Sequence, residues 1–122
     1  NSNSEAQKTI PESNLYAIWI CYKEINNEPM MGIHTVTNNP QRRDTIELKE
    51  NHEFICYRDA KISTGVWIYN PDEAQVILER LKYDDTTSLF LSTYKLLPDS
   101  TLTIRQFWGK EGESRDLFYK KN

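Results

Sequence analysis

The segment Ser63–Glu73 reads STGVWIYNPDE and decides between two folds for this chain. Its first part alternates, which places Gly65, Trp67 and Tyr69 on one face of a β-strand. The tetrapeptide Asn70–Glu73 can then do one of two things. It can start a helix with Asn as the cap and Pro in the first turn, or it can form a type I turn and send the chain back as a hairpin. The helix predicts a mixed domain, and the hairpin predicts an all-β domain.

The residues after this tetrapeptide fit both interpretations. A helix over 71–82 would carry one apolar face. That face consists of Ala74, Ile77, Leu78 and Leu81. A strand over the same residues would point Val76 and Leu78 to the inside.

The neighbouring segments favour the strand. TIELKENHEFICYRD, from Thr45, alternates on both sides of a turn at Glu50–His52 and predicts a hairpin. TSLFLSTYKLL and TLTIRQFW alternate as well, on either side of a PDS turn. Short strands spaced about 8–12 residues apart, with turn signals between them, are typical of β-sandwiches and barrels. We therefore predict an all-β fold, an antiparallel up-and-down β-barrel of about eight strands. The alternative is an α+β domain with a helix at 71–82.

Composition bounds the classes of function. The 122 residues are 38% hydrophobic and 27% charged, as in a soluble globular domain, and the net charge is −3. There is no concentrated basic region, so we expect no nucleic-acid binding. No apolar run approaches the roughly 20 residues of a membrane-spanning helix.

The first residues differ from the rest. NSNSEAQKTIPESN is polar and has no periodicity, so residues 1–14 are predicted to be a flexible leader or tether, and 15–122 a single barrel domain. The chain begins with Asn rather than Met, as a processed form would. We therefore expect an exported protein, periplasmic or anchored to the outer membrane, with membrane contact only through an N-terminal lipid.

Three stretches resemble small bacterial lipocalin-like proteins of the calycin type, which are often exported or lipid-anchored. AIWICYKEINNEP resembles their first strand, with Ala17-Ile18-Trp19 in place of the family's Gly-x-Trp. TIELKENHEFICYRDAKISTGVWIYNPDEAQVIL resembles their central strands, and YKLLPDSTLTIRQF their closing hairpin. The resemblance implies a closed or nearly closed barrel. Its interior is either packed or holds one small ligand.

Alternation assigns a set of residues to the barrel interior. The predicted inner residues are Ala17, Trp19, Cys21, Ile46, Leu48, Phe54, Cys56, Trp67, Val76, Leu78, Phe90, Tyr94, Leu96, Leu102, Ile104 and Phe118. The two cysteines in this set, Cys21 and Cys56, lack metal-binding spacing. They can be buried free thiols or a single disulfide.

Nothing in the sequence assembles a catalytic site. The two histidines are His34, in a weak strand, and His52, in a hairpin turn. No triad can be read around them, and neither a Gly-rich phosphate loop, an HExxH motif nor paired CxxC motifs occur. We predict that the protein is not an enzyme and uses no cofactor or metal. If the protein were an enzyme instead, His34 would be the best candidate for a catalytic residue.

Ligand binding has better support. The inner faces, extended toward the strand ends, add two cations and an amide, which could clamp a carboxylate, while aromatic residues supply apolar walls. Charged residues at strand ends can also simply reach water. The predicted ligand-binding residues are Trp67, Tyr69, Tyr94, Arg58, Arg80 and Gln106. The predicted function is non-enzymatic binding of a small, partly apolar and acidic ligand in the bacterial envelope.

The alternative is a protein-interaction module, such as an inhibitor, an immunity protein or an assembly lipoprotein, with a filled barrel. Its partner would contact an apolar outward row on the first strand. That row consists of Tyr16, Ile18, Ile20 and Tyr22.

Overall fold

The backbone forms one antiparallel β-sheet in this computed structural model, which describes residues 9–40, 44–58, 61–81, 89–107 and 111–122. Within these ranges, two short 3-10 helices span Glu12–Leu15 and Pro29–Met31. The strands are β1 (Ala17–Glu28), β2 (Ile33–Asn38), β3 (Thr45–Leu48), β4 (Glu53–Arg58), β5 (Lys61–Asn70), β6 (Gln75–Leu81), β7 (Leu89–Leu96), β8 (Leu102–Phe107) and β9 (Ser114–Lys121). No helix within the described ranges is both long enough and apolar enough to cross a bilayer.

Eight of these strands close into a barrel. Neighbours from β3 to β9 pair in chain order, and β1 pairs with both β3 and β9 to complete the ring. This is possible because β1 has 12 residues. Its first part pairs with β3, and its second part pairs on the same side with β2, which lies outside the ring. The predicted all-β, up-and-down barrel is confirmed.

The alternative helix at 71–82 is wrong. Pro71–Ala74 form a turn in which the Ala74 amide donates to the Pro71 carbonyl oxygen at 3.3 Å, and β6 comes directly after it. β6 pairs along its length with both β5 and β7, so its backbone groups are satisfied on both edges. Val76 and Leu78 are buried. The local helix signals are overridden because two neighbouring strands offer ladder partners.

Side chains fill the barrel interior. The buried apolar residues are Leu15, Trp19, Cys21, Ile46, Leu48, Phe54, Cys56, Trp67, Val76, Leu78, Tyr94, Leu96, Leu102, Leu117 and Tyr119. Ala17 and Ile104 are partly buried and pack against this core. The side chain of Phe90 lies outside what the structure describes. The inward prediction for Phe118 is wrong: this residue is only partly buried, with Lys23 Nζ 4.5 Å from its ring centre.

The two ends of the barrel differ. The end that carries the β3–β4, β5–β6 and β7–β8 turns is called the closed end, and the opposite end, where β4, β6 and β8 finish, is called the mouth. Residues Ile10 and Leu15, within or beside the predicted leader, pack on the core at the closed end. The carbonyl oxygen of Ile10 accepts a hydrogen bond from the Tyr69 hydroxyl at 2.6 Å. Residues 1–8 of the predicted leader lie outside the described ranges.

Candidate functional site

An open pocket at the mouth brings together polar side chains from four strands. It is lined by Phe54, Cys56, Arg58, Ser63, Leu78, Arg80, Ser92 and Tyr94. Its volume is about 50 Å³. A water molecule takes about 30 Å³ of the liquid, and pockets for drug-sized ligands are typically about 300–1,000 Å³. The pocket therefore admits a group the size of a carboxylate, and the rest of a larger ligand would lie outside it.

Strand alternation explains why these residues meet. Arg58, Arg80 and Ser92 each stand two positions nearer the mouth than a core residue of their own strand. Ser63 lies on the same face of β5 as the buried Trp67, four positions nearer the mouth. In the β5–β6 ladder Arg80 pairs with Gly65, which is two positions from Ser63 on the same face of β5. The register therefore brings Arg80 close to Ser63. The inner face thus changes from apolar to polar where the strands reach the mouth.

Arg58 is anchored inside the mouth. Its Nε lies 3.3 Å from Oδ2 of Asp44, whose side chain is only 2% exposed. Its Nη2 donates to the Tyr94 hydroxyl at 3.4 Å. Burial disfavours the charged form of Arg58, but Tyr119, Tyr94, Cys56 and Asp44 outweigh burial and raise its pKa above the usual value. Arg58 is therefore a permanent cation held in one orientation.

Arg80 is the second cation of the pocket. Its Nη1 donates to the Ser63 hydroxyl oxygen at 3.0 Å, which orients the guanidinium along the inner face of β5. With Arg58, it gives the pocket two planar groups of N–H donors. Such groups match the two oxygens of a carboxylate.

Two tyrosines stand behind the arginines. The rings of Tyr94 and Tyr119 meet edge to face with centroids 5.8 Å apart. Burial raises the pKa of Tyr94 to about 12 and raises that of Tyr119 well above its usual value. Both are therefore protonated near neutral pH. Because the Tyr94 oxygen accepts from Arg58, its own proton can be donated to another acceptor.

The fold should weaken between pH 10 and pH 12, because the folded state keeps the Tyr94 proton that the unfolded chain has lost. The contribution of Tyr94 to the free energy of unfolding is fully present below the unfolded pKa of 10. It falls as the pH rises toward the folded pKa of about 12. At 1.36 kcal/mol per pKa unit, Tyr94 alone contributes a loss of about 2–3 kcal/mol. Urea unfolding at several pH values will measure this slope. Tyr94→Phe should reduce this slope, and the exposed control Tyr57→Phe should not. Equal slopes in all three proteins would contradict the assignment.

Three of the predicted site residues lie elsewhere. Trp67 is at the closed end, where its Nε1 donates to the Lys49 carbonyl oxygen at 2.9 Å and its ring packs edge to face on His52. Tyr69 is also at that end, bonded to Ile10. Gln106 accepts a hydrogen bond from Arg115 Nε at 3.1 Å and does not line the pocket. Of the six predicted residues, the structure brings together Arg58, Arg80 and Tyr94.

Sequence reasoning missed three polar residues of the mouth: Asp44, Ser63 and Ser92. Ser63 lies on the same strand face as Trp67, and Ser92 on the same face as Tyr94. Alternation alone could therefore have assigned both serines to the barrel interior. Asp44 stands at the end of a predicted loop, just before β3, where no periodicity exists to assign a face.

The two histidines lie outside the pocket, and the two cysteines are buried. His34 Nδ1 is 2.7 Å from the Asn27 side-chain oxygen, and both lie on the exposed β1–β2 arm. His52 Nε2 is 2.7 Å from Glu12 Oε2. Cys21 and Cys56 are buried free thiols, and burial raises the pKa of each, which disfavours the reactive thiolate. The described residues contain no cluster of three or more potential metal ligands from His, Cys, Asp and Glu.

The predicted outward row on the first strand is not one exposed surface. Tyr16 packs edge to face on Trp67 and donates to Glu12 at 2.9 Å. Ile18 is 44% exposed. Ile20 and Tyr22 are half-buried and line a crevice of about 210 Å³ beside the C-terminal residues. A protein partner for this face stays a prediction.

Comparisons with protein-family models, with curated proteins and with solved structures found no match to this chain.

Proposed function

We propose that this protein is a non-enzymatic, calycin-like binding barrel whose mouth holds the carboxylate of a small, partly apolar ligand. The observation that carries the proposal is the convergence of Arg58, Arg80 and the Tyr94 hydroxyl on one opening. Guanidinium groups held in place by hydrogen bonds lose little freedom when a carboxylate binds, so they bind it more tightly than mobile surface cations.

The size of the pocket defines how the ligand would sit. The acid group enters, and the apolar remainder rests on the rim. Leu91 and Phe107 offer apolar surface near the mouth and are 62% and 72% exposed. A bacterial envelope location belongs to the same proposal. It is supported by the resemblance of the sequence to exported barrels.

The test is a titration with hexanoate and, as a neutral isostere, hexanol, followed through the backbone amide signals in NMR spectra. Hexanoate should shift the signals of Ser63 and Ser92, and hexanol should bind more weakly. Arg80→Gln should weaken hexanoate binding at least about tenfold, since a hydrogen bond to a charged group contributes about 1.5–3 kcal/mol. Arg105→Gln removes the same charge outside the pocket and should change affinity less than about twofold. Equal binding of both probes, or no effect of Arg80→Gln, would overturn the proposal.

A second candidate is the interaction module. The observation that favours it is an exposed apolar row along the outer face of β5. That row consists of Ile62, Val66 and Ile68, which are 64%, 41% and 56% exposed. Exposed apolar rows on a soluble domain often mark protein interfaces. A titration in which hexanoate leaves every amide signal unchanged would favour this candidate over the first.

A further inference from the structure

The barrel wall has a seam between β7 and β8. The two strands have eight and six residues, yet they pair only at Lys95–Thr103 and Leu96–Leu102, next to the closed end. Every other neighbouring pair in the ring shares at least four register positions. From Tyr94 toward the mouth, the facing edges of β7 and β8 are not joined by a ladder.

The ladder pattern shows which backbone groups face the seam. The Leu96 amide donates to Ala74 on the β6 side, and the Leu97 amide donates to Thr101 on the β8 side. Backbone direction alternates along a strand, so the amide and carbonyl groups of Leu91 and Thr93 point toward β8. By the same alternation, Arg105 and Phe107 point theirs toward β7. An extended peptide backbone is the partner that matches a row of groups spaced in this way.

The outer side of the seam is lined by apolar and polar side chains. Leu91 of β7 and Phe107 of β8 lie on opposite sides of the seam and are 62% and 72% exposed. Between these two residues and the closed end lies a groove of about 640 Å³, whose lining includes Thr93, Lys95 and Ile104. Its volume falls within the range of about 300–1,000 Å³ that suits ligands. Lys95 is the exposed residue of this groove nearest the closed end of β7.

The inner side of the seam meets the pocket at the mouth. Ser92 and Tyr94 point inward from β7, and both line the pocket that holds Arg58 and Arg80. A strand laid beside β7, about 4.8 Å away, would point every second side chain inward beside them. A long acidic side chain at such a position could reach the two guanidinium groups, and the intervening residues would face outward between Leu91 and Phe107.

We propose that the seam binds an extended acidic peptide that pairs antiparallel with Leu91 and Thr93 of β7. Its outward residues are apolar and its inward residues are acidic. This inference rests on the proposed function for the source of the acid group, because it makes a glutamate side chain the carboxylate that enters the mouth. The paired backbone adds binding that a free carboxylate does not have.

The probe is the capped pentapeptide acetyl-Val-Glu-Val-Glu-Val-amide, with binding followed by amide NMR shifts and hydrogen exchange. In the free protein, the amides of Leu91 and Thr93 should exchange faster than that of Tyr94, which lies on the paired edge. The peptide should slow exchange at Leu91 and Thr93. Methylation of its valine amides, which face β7, should weaken binding at least about tenfold, since each lost hydrogen bond contributes about 1 kcal/mol and the methyl groups clash. Methylation of its glutamate amides should have a smaller effect.

Matched variants test the same edge from the protein side. Thr93→Pro removes an amide that makes no bond to β6, and edge strands tolerate proline at such positions. It should weaken peptide binding at least about tenfold, whereas Thr93→Ala should stay within about twofold. Should Thr93→Pro fail to fold, the methylated peptides give the same answer with the native protein.

The outcomes separate this inference from the proposed function. If hexanoate binds at the mouth but the peptide leaves Leu91 and Thr93 unprotected, the seam proposal is overturned and the carboxylate site stands. A peptide with Gln in place of Glu that binds equally well, with the same protection pattern, supports pairing at the seam and overturns the role of the arginines. Equal binding of both methylated peptides would refute strand pairing.

Discussion

Replacement of Gly65 by alanine is expected to lower the free energy of unfolding by at least about 3 kcal/mol, the upper part of the range for overpacked cores. A Cβ at this position would stand 2.1 Å from the Glu79 carbonyl oxygen, 2.8 Å from Phe54 Cε2 and 3.0 Å from Arg80 Cα. Two of these atoms belong to the backbone of β6, which cannot move without breaking its pairs with β5 or β7. The strain therefore has no flexible side chain to absorb it. Urea unfolding of the purified variant measures the loss.

Gly32→Ala provides the control. Gly32 has φ +65° and no atom within 4 Å of its hypothetical Cβ, so the substitution tests left-handed backbone strain without a clash. It should cost about 1–2 kcal/mol. A Gly65→Ala protein as stable as Gly32→Ala would show that β5 and β6 can separate, which would contradict the close approach in the structure.

Trp67→Ala is expected to have the other large effect, a loss of about 3–5 kcal/mol of unfolding free energy. The side chain is 1% exposed, and its ring contacts those of Tyr16 and His52. Its removal leaves a cavity at the closed end and deprives the Lys49 carbonyl oxygen of its indole donor. Chemical unfolding, with the slope of the transition compared between variants, distinguishes lost stability from a change in the unfolded state.

Trp67→Phe is a more conservative substitution, and it separates effects on stability from effects on ligand binding. It keeps most of the ring packing and should cost about 1–2 kcal/mol, chiefly through the lost hydrogen bond and unfilled volume. Because Trp67 lies far from the mouth along β5, hexanoate affinity should change by less than about twofold. A tenfold loss of affinity in a stable Trp67→Phe protein would mean that the ligand reaches the closed end.

The strand at 75–81 shows how the fold could be predicted. Local chemistry at Asn70–Glu73 slightly favours a helix, but the regular spacing of strands on both sides favours the strand that the structure shows. The face of β9 could not be predicted in the same way. Its residues Leu117, Phe118 and Tyr119 are all large and apolar, so alternation carries no information there. The bulge between Cys21 and Lys23 on β1 shifts the register against β9, and no sequence signal marks it.

The sequence predicts which face of the barrel wall the site residues occupy, but not their position along the barrel. Alternation identified Arg58, Arg80 and Tyr94 as inward-facing, and the structure places all three in the pocket. It also identified Trp67 and Tyr69, which share the inward phase but lie toward the other end of the barrel. Phase tells which side of the wall a residue occupies. Its height along the barrel depends on register and strand tilt, which act between segments far apart in the sequence.

The pairing of β1 with both β3 and β9 has a consequence for how the chain folds. Trp19 aligns with Lys121, so closure of the ring joins residues that are far apart in the sequence. Loop-closure entropy and high contact order make such contacts slow to form, typically over milliseconds to seconds in β-barrels. Until β9 is in place, the β9 side of β1 has no strand partner. The eight residues of β9 thus decide when the barrel stops being an open sheet that other chains could pair with.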